Sequence, residues 1–135
     1  MSLDRINPPE LPHPSGFTHA VAGTGRTVFL AGQTAQDATG RIVPGGVVAQ
    51  VAQALDNLLV ALRAAGGRPE HLAALTIYLV DVDDYRAHAT EIGEVWRRVM
   101  GSHYPATAGV GVTRLWDAAA LVELQGIALI PSGAG

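Results

Sequence analysis

The feature that most constrains the fold is one amphipathic segment, residues 47–65. Val47, Val51, Leu55, Leu58 and Leu62 fall four, four, three and four residues apart, which gathers them on one face of a helix. Leu59 and Val60 widen that stripe while Gln50, Gln53 and Asn57 lie opposite, the pattern of a helix laid across a sheet. Gly66-Gly67 ends it.

The sheet beneath it must come from the strand-like stretches, and residues 121–130 are the most telling of these. Strand side chains alternate, so Glu123 shares a face with Leu121, Gln125, Ile127 and Leu129, whereas Val122, Leu124, Ala128 and Ile130 fill the other. A carboxylate among aliphatics is costly to bury unpaired, so Glu123 is expected to meet water, a cation, a donor or a ligand. It is the first functional candidate.

Taken in order, residues 1–16 hold four prolines and no periodicity and read as an extended leader. Residues 17–22 and 26–33 read as two strands joined by a hairpin at Gly23-Thr24-Gly25. That Gly-x-Gly precedes a strand and not a helix, so it is turn chemistry and not a dinucleotide site. Residues 41–43 read as a short strand. Residues 73–80 are apolar on both faces and belong in the middle of a sheet. Asp81 caps a second helix that Gly101 closes, with Tyr85, Ala89, Ile92, Trp96 and Val99 as its buried stripe and Glu94 paired to Arg98 on its exposed side. A strand over 107–114, a turn at 116–120 and the Glu123 strand follow, and residues 132–135 are a frayed tail. The expected organisation is one domain over 17–131 with both helices on one side of a mixed sheet. Its other face, still apolar, calls for burial by copies of the same chain.

Composition narrows the chemistry. The chain has no cysteine, which excludes disulfides, thiolate catalysis and cysteine-based metal sites, and its nine cations are all arginine, which excludes a Schiff-base or phosphate-loop lysine. A net charge of -3 with scattered arginines argues against a nucleic-acid partner. The longest apolar runs fall far short of a membrane span and no signal pattern opens the chain, so a cytoplasmic protein without membrane contact is expected. His88 and Glu91 lie three apart but lack a third ligand, so no metal site is expected. His19 is read as a structural histidine that could also line a cleft.

Seven stretches, in order and spacing, resemble the RidA/YjgF family of reactive-intermediate deaminases. They are Phe17-Thr18-His19-Ala20-Val21, Val28-Phe29-Leu30-Ala31-Gly32-Gln33, Gln53-Ala54-Leu55-Asp56-Asn57-Leu58, Thr76-Ile77-Tyr78-Leu79-Val80-Asp81, Tyr104-Pro105-Ala106, Val112-Thr113-Arg114-Leu115 and Val122-Glu123-Leu124. The resemblance implies an α/β (α+β), chorismate-mutase-like fold with a mixed six-stranded sheet and two helices on one face. It also implies a homotrimer with a central barrel and clefts between subunits. The implied activity is hydrolysis of 2-imino or 2-enamino acids to the keto acid and ammonia, without cofactor or metal.

In that family a glutamate in the last strand positions water, an arginine directly after Pro-Ala holds the substrate carboxylate, and a tyrosine and a serine complete the cleft. The matching positions here are Glu123, Thr107, Phe17 and Ala31, so only the glutamate is retained. A threonine hydroxyl carries no charge and offers one donor, so it cannot replace a bidentate arginine. Glu123 is the candidate catalytic residue, and Phe17, Ala31, Gly32, Thr107, Ala108 and Gly109 are the candidate substrate-binding residues for a small-molecule ligand. Two readings follow: an atypical imine or enamine deaminase with altered substrate choice, or a non-catalytic trimer that binds a metabolite.

Overall fold

Helix α1 (Gly46–Ala64) packs across a four-stranded sheet and buries the expected stripe, with Val47, Val51, Leu55, Leu58 and Leu62 all in the core. The computed structural model describes residues 3–132. Gly66, in the left-handed region at φ 91°, lets the chain reverse, and the amides of Gly66 and Gly67 donate to the carbonyls of Arg63 and Leu62. By length and composition α1 could cross a bilayer, which the sequence reading had discounted, but its apolar face is used against the sheet, as befits a core helix.

Strands β1 (Asp4–Ile6) and β2 (Ala20–Ala22) make a small antiparallel ladder. Strands β3 (Arg26–Gln33), β4 (Leu72–Leu79), β5 (Ala106–Gly111) and β6 (Val122–Ile130) make the main sheet, in the order β3-β6-β4-β5. β6 runs antiparallel to both of its neighbours, and β4 and β5 are parallel because helices α2 (Val82–Ala87) and α3 (Ala89–Met100) carry the chain back between them. β4 lies inside the sheet, as its two apolar faces required.

Several expectations are corrected. The six-stranded mixed sheet is realised as four strands plus a separate pair. The hairpin does not form: β3 pairs with β6 over Arg26↔Ile130 to Leu30↔Gly126 and on to Gln33↔Leu124, while β2 pairs with the leader. An eight-residue strand gains a longer ladder on the nine-residue β6 than it could on three residues of β2. The leader is thus part of the fold, and Arg5 ties it down by donating to the Glu70 carbonyl. Residues 41–43 contribute one bridge, Gln36↔Ile42, and not a strand. The second helix breaks at His88, whose ring Nδ1 donates to the Asp84 carbonyl, so α3 begins in a new register. Ile92, Val95 and Met100 become its buried stripe, and Val99 faces out. Asp81 caps α2 through the Asp84 amide as read, but no Glu94 to Arg98 ion pair forms among the described residues. β5 stops at Gly111, short of 114. The tail beyond Ser132 lies outside the described residues.

Gln50 was assigned to the solvated side of α1 but is only 4% exposed. Its Nε2 donates to the Ala119 carbonyl at 3.2 Å and its Oε1 accepts from the Leu121 amide at 2.8 Å, which pins the loop entering β6. Gln50→Leu leaves both backbone groups unpaired and should cost about 1–3 kcal/mol in urea unfolding. An unchanged midpoint would mean that the loop is held by something else.

Candidate functional site

Glu123 stands second in β6, and the alternation of that strand holds: residues 122, 124, 126, 128 and 130 are buried, while 123, 125, 127 and 129 are not. The ladder sets Glu123 opposite Tyr78 of β4, and Tyr78 donates its hydroxyl to Gln125 Oε1 at 2.9 Å. On the other flank, β3 is irregular between Leu30 and Gln33, where Ala31 and Gly32 together oppose Gln125. This bulge presses the Gly32 backbone against the Glu123 carboxylate, and a Cβ at Gly32 would fall 2.3 Å from Oε2. A side chain at this position would displace the carboxylate from where it lies.

The Glu123 carboxylate borders an open hollow of about 260 Å³ with Gly32, Gln33, Thr34, Trp116 and Asp117. Among the described residues it forms no ion pair, since the ion pair found is Asp84 with His88. Trp116 is 95% exposed, so an indole stands at the rim with almost nothing of this chain around it. Asp117 is fixed by the loop, its Oδ1 accepting from the Ala119 amide.

Thr107, Ala108 and Phe17 lie elsewhere. They line a second hollow of about 420 Å³ with Thr18, His19 and Thr76, where the chain before β2 runs beside the start of β5. Thr18 holds that junction, its amide donating to the Pro105 carbonyl and its hydroxyl to the Tyr104 carbonyl. His19 is tied in as a structural histidine: Nε2 donates to the Pro12 carbonyl, its amide donates to Asn7 Oδ1, and Phe17 meets its ring edge-on at 5.0 Å. The Thr107 hydroxyl donates to the Pro105 carbonyl at 2.9 Å, so its one proton is already engaged.

The candidate residues therefore form two sets. Thr107 is in register with Leu75 and Gly126, on the helix side of the sheet, whereas Glu123 is in register with Tyr78 on the bare side. Gly32 and the exposed Ala31 belong with Glu123, and Phe17 with Thr107. A Cβ at Gly109 would meet nothing within 4 Å, so nothing among the described residues explains that glycine. Sequence reasoning missed Tyr78, Trp116 and Asp117; period-two alternation from Thr76 would have found Tyr78, but nothing local marks the loop pair. His88 and Glu91 gather no third ligand among the described residues, and the Asp84 carbonyl that accepts from the His88 ring raises that ring's pKa above its ordinary value.

Comparison with known proteins agrees with this architecture. The Endoribonuclease L-PSP family profile matches residues 10–130. A goat (Capra hircus) protein named 2-iminobutanoate/2-iminopropanoate deaminase is 35% identical over 105 residues, 77% of this chain and 73% of its own. A RutC family protein of Pyrococcus horikoshii is 34% identical over 118 residues, covering 87% of this chain and 90% of its own. The crystal structure of a protein of unknown function of the conserved Rid family from Yersinia pestis superposes with a TM-score of 0.85 at 34% identity, covering 96% of this chain and all of that one. These matches show that the chain belongs to the RidA/YjgF family, the group described as Endoribonuclease L-PSP.

Proposed function

We propose that this protein hydrolyses the C=N bond of a small imine or enamine, with Glu123 orienting the attacking water and Thr107 altering the choice of substrate. The observation that carries the reading is the Glu123 carboxylate, seated by the Gly32 bulge at the mouth of a hollow with no ion-pair partner among the described residues. Relatives that bear the deaminase name supply the reaction class.

An imine carbon is already electrophilic, so an oriented water and a proton route suffice. The water oxygen bonds to that carbon as its proton passes to Glu123. The resulting acid returns that proton to the imine nitrogen, giving a carbinolamine; Glu123 then takes the hydroxyl proton and delivers it to the amino nitrogen as the carbonyl forms, the C–N bond breaks and ammonia leaves. Neither a metal nor a cofactor enters these steps. Thr107 offers no positive charge, and its proton is held by Pro105, so a carboxylate directly on the imine carbon finds no clamp at that position.

The working unit in this reading is a homotrimer whose clefts lie between subunits. Phe29, 79% exposed, and the exposed Ile127 and Val110 leave the bare side of the sheet apolar. The outer edge of β5 is open beyond Ala106, and Gly109 leaves room for a neighbouring backbone. A second copy against that edge would bring a Glu123 face to a Thr107 hollow, joining the two sets that one chain keeps apart. The alternative, a trimer that binds a metabolite without turning it over, draws its support from the missing arginine at 107.

Glu123→Gln should lower kcat/KM for ammonia release from freshly generated imines by about 10²–10⁴-fold while leaving the unfolding midpoint nearly unchanged. Equal activity would remove Glu123 from the mechanism, and silence of the wild type on every imine tried would favour the binding protein. Gly32→Ala displaces only the far end of a flexible side chain, so stability should hold while activity falls with that of Glu123→Gln. Light scattering at micromolar concentration should return three times the 14.0 kDa chain mass, and a monomer would end the inter-subunit reading.

A further inference from the structure

A third hollow, of about 330 Å³, opens on the helix side of Thr107, between β5 and α3. Its floor is small, since Ala89 and Gly93 lie one turn apart on α3, and Arg97 follows at the next turn. Its wall is aromatic: Trp96 stacks on Tyr104 with ring centroids 5.9 Å apart and planes within 10°, and Trp96 Nε1 donates to the His103 carbonyl. Tyr85 closes another side, and its burial raises the phenol pKa, so the ring remains neutral.

Gly93 is the informative residue. Glycine inside a helix is a destabilising choice, and φ at this position is ordinary, so backbone conformation does not demand it. A Cβ there would lie 3.3 Å from Arg97 Nη1, closer than comfortable contact. The missing side chain lets the guanidinium lie back along the helix face beside the hollow. Arg97 has no carboxylate partner among the described residues, and no acidic side chain lines the hollow.

We propose that Arg97 is the anion-binding residue of this site. The hollow takes a ligand with an apolar body and a terminal carboxylate, the carboxylate held by Arg97 and the other end directed to the mouth at Thr107. Combined with the deaminase reading, on which this part rests, the substrate class is an imine whose carboxylate is separated from the C=N carbon by an apolar spacer. The positive charge that position 107 lacks is supplied from α3, one layer further from the sheet.

Isothermal titration calorimetry with 4-phenylbutyrate and its neutral isostere 4-phenylbutanamide tests the anion site without any turnover. The wild type should bind the carboxylate about tenfold or more tightly than the amide. Arg97→Gln should erase that preference while leaving amide binding in place, and Arg97→Lys should restore part of it, because it keeps the charge and loses the planar fork. Arg97 is exposed on the helix surface, so these variants should keep the wild-type circular dichroism. No charge preference in the wild type, no heat with either probe at millimolar concentration, or a preference that survives in Arg97→Gln would overturn the proposal. The ammonia assay on Glu123→Gln fails separately if the deaminase reading is wrong, so calorimetry and catalysis judge the two claims independently.

Discussion

The structure depends on the two-sidedness of β6. This strand lies between β3 and β4, and its inward residues Val122, Leu124 and Ala128 are part of the floor on which α1 rests, with Ile130 buried beyond them. Gly126 belongs to the same face because a Cβ there would come within 2.8 Å of Leu72 Cδ1. A slip of one residue would turn Val122, Leu124, Ala128 and Ile130 outward and bring Glu123 into the core, so the register of the strand and the aim of the carboxylate are a single specification. The hydrophobic term that holds the helix to the sheet also aims the acid away from it.

Most of the layer arrangement could be read from local pattern. The stripe on α1, the left-handed glycine after it, the interior position of β4 and the Asp81 cap are all short-range consequences of residue type and spacing. Where the reading failed, long-range competition decided. Residues 17–33 carry good turn chemistry, yet β3 is claimed by β6 from the far end of the chain, and three residues of a proline-rich leader take its place beside β2. The break at His88 likewise has no proline or glycine to announce it; a ring-to-carbonyl hydrogen bond ends one helix and starts the next.

The site was legible in part for the same reason. Glu123 stood out because an acid in an aliphatic strand violates the pattern, and Gly32 was marked by resemblance. That Gly32 is the acid's steric counterpart depends on a bulge, which one strand's sequence does not encode. Gln50 was misplaced because its partners are backbone groups of a loop about seventy residues away, invisible to helical periodicity. Trp116 and Asp117 stand in the same loop, just before the residues that Gln50 holds.

The bulge at Ala31-Gly32 has one more consequence. The seat of the carboxylate is made by a count of backbone residues, two against one, and not by the identity of the side chains around it. Changes of side chain at Gln33, Thr34 or Trp116 would reshape the walls without disturbing the ladder that aims the acid. In such a scaffold the bearing of the carboxylate is a property of strand pairing, so the walls of the hollow can be rewritten one side chain at a time while the acid keeps its aim.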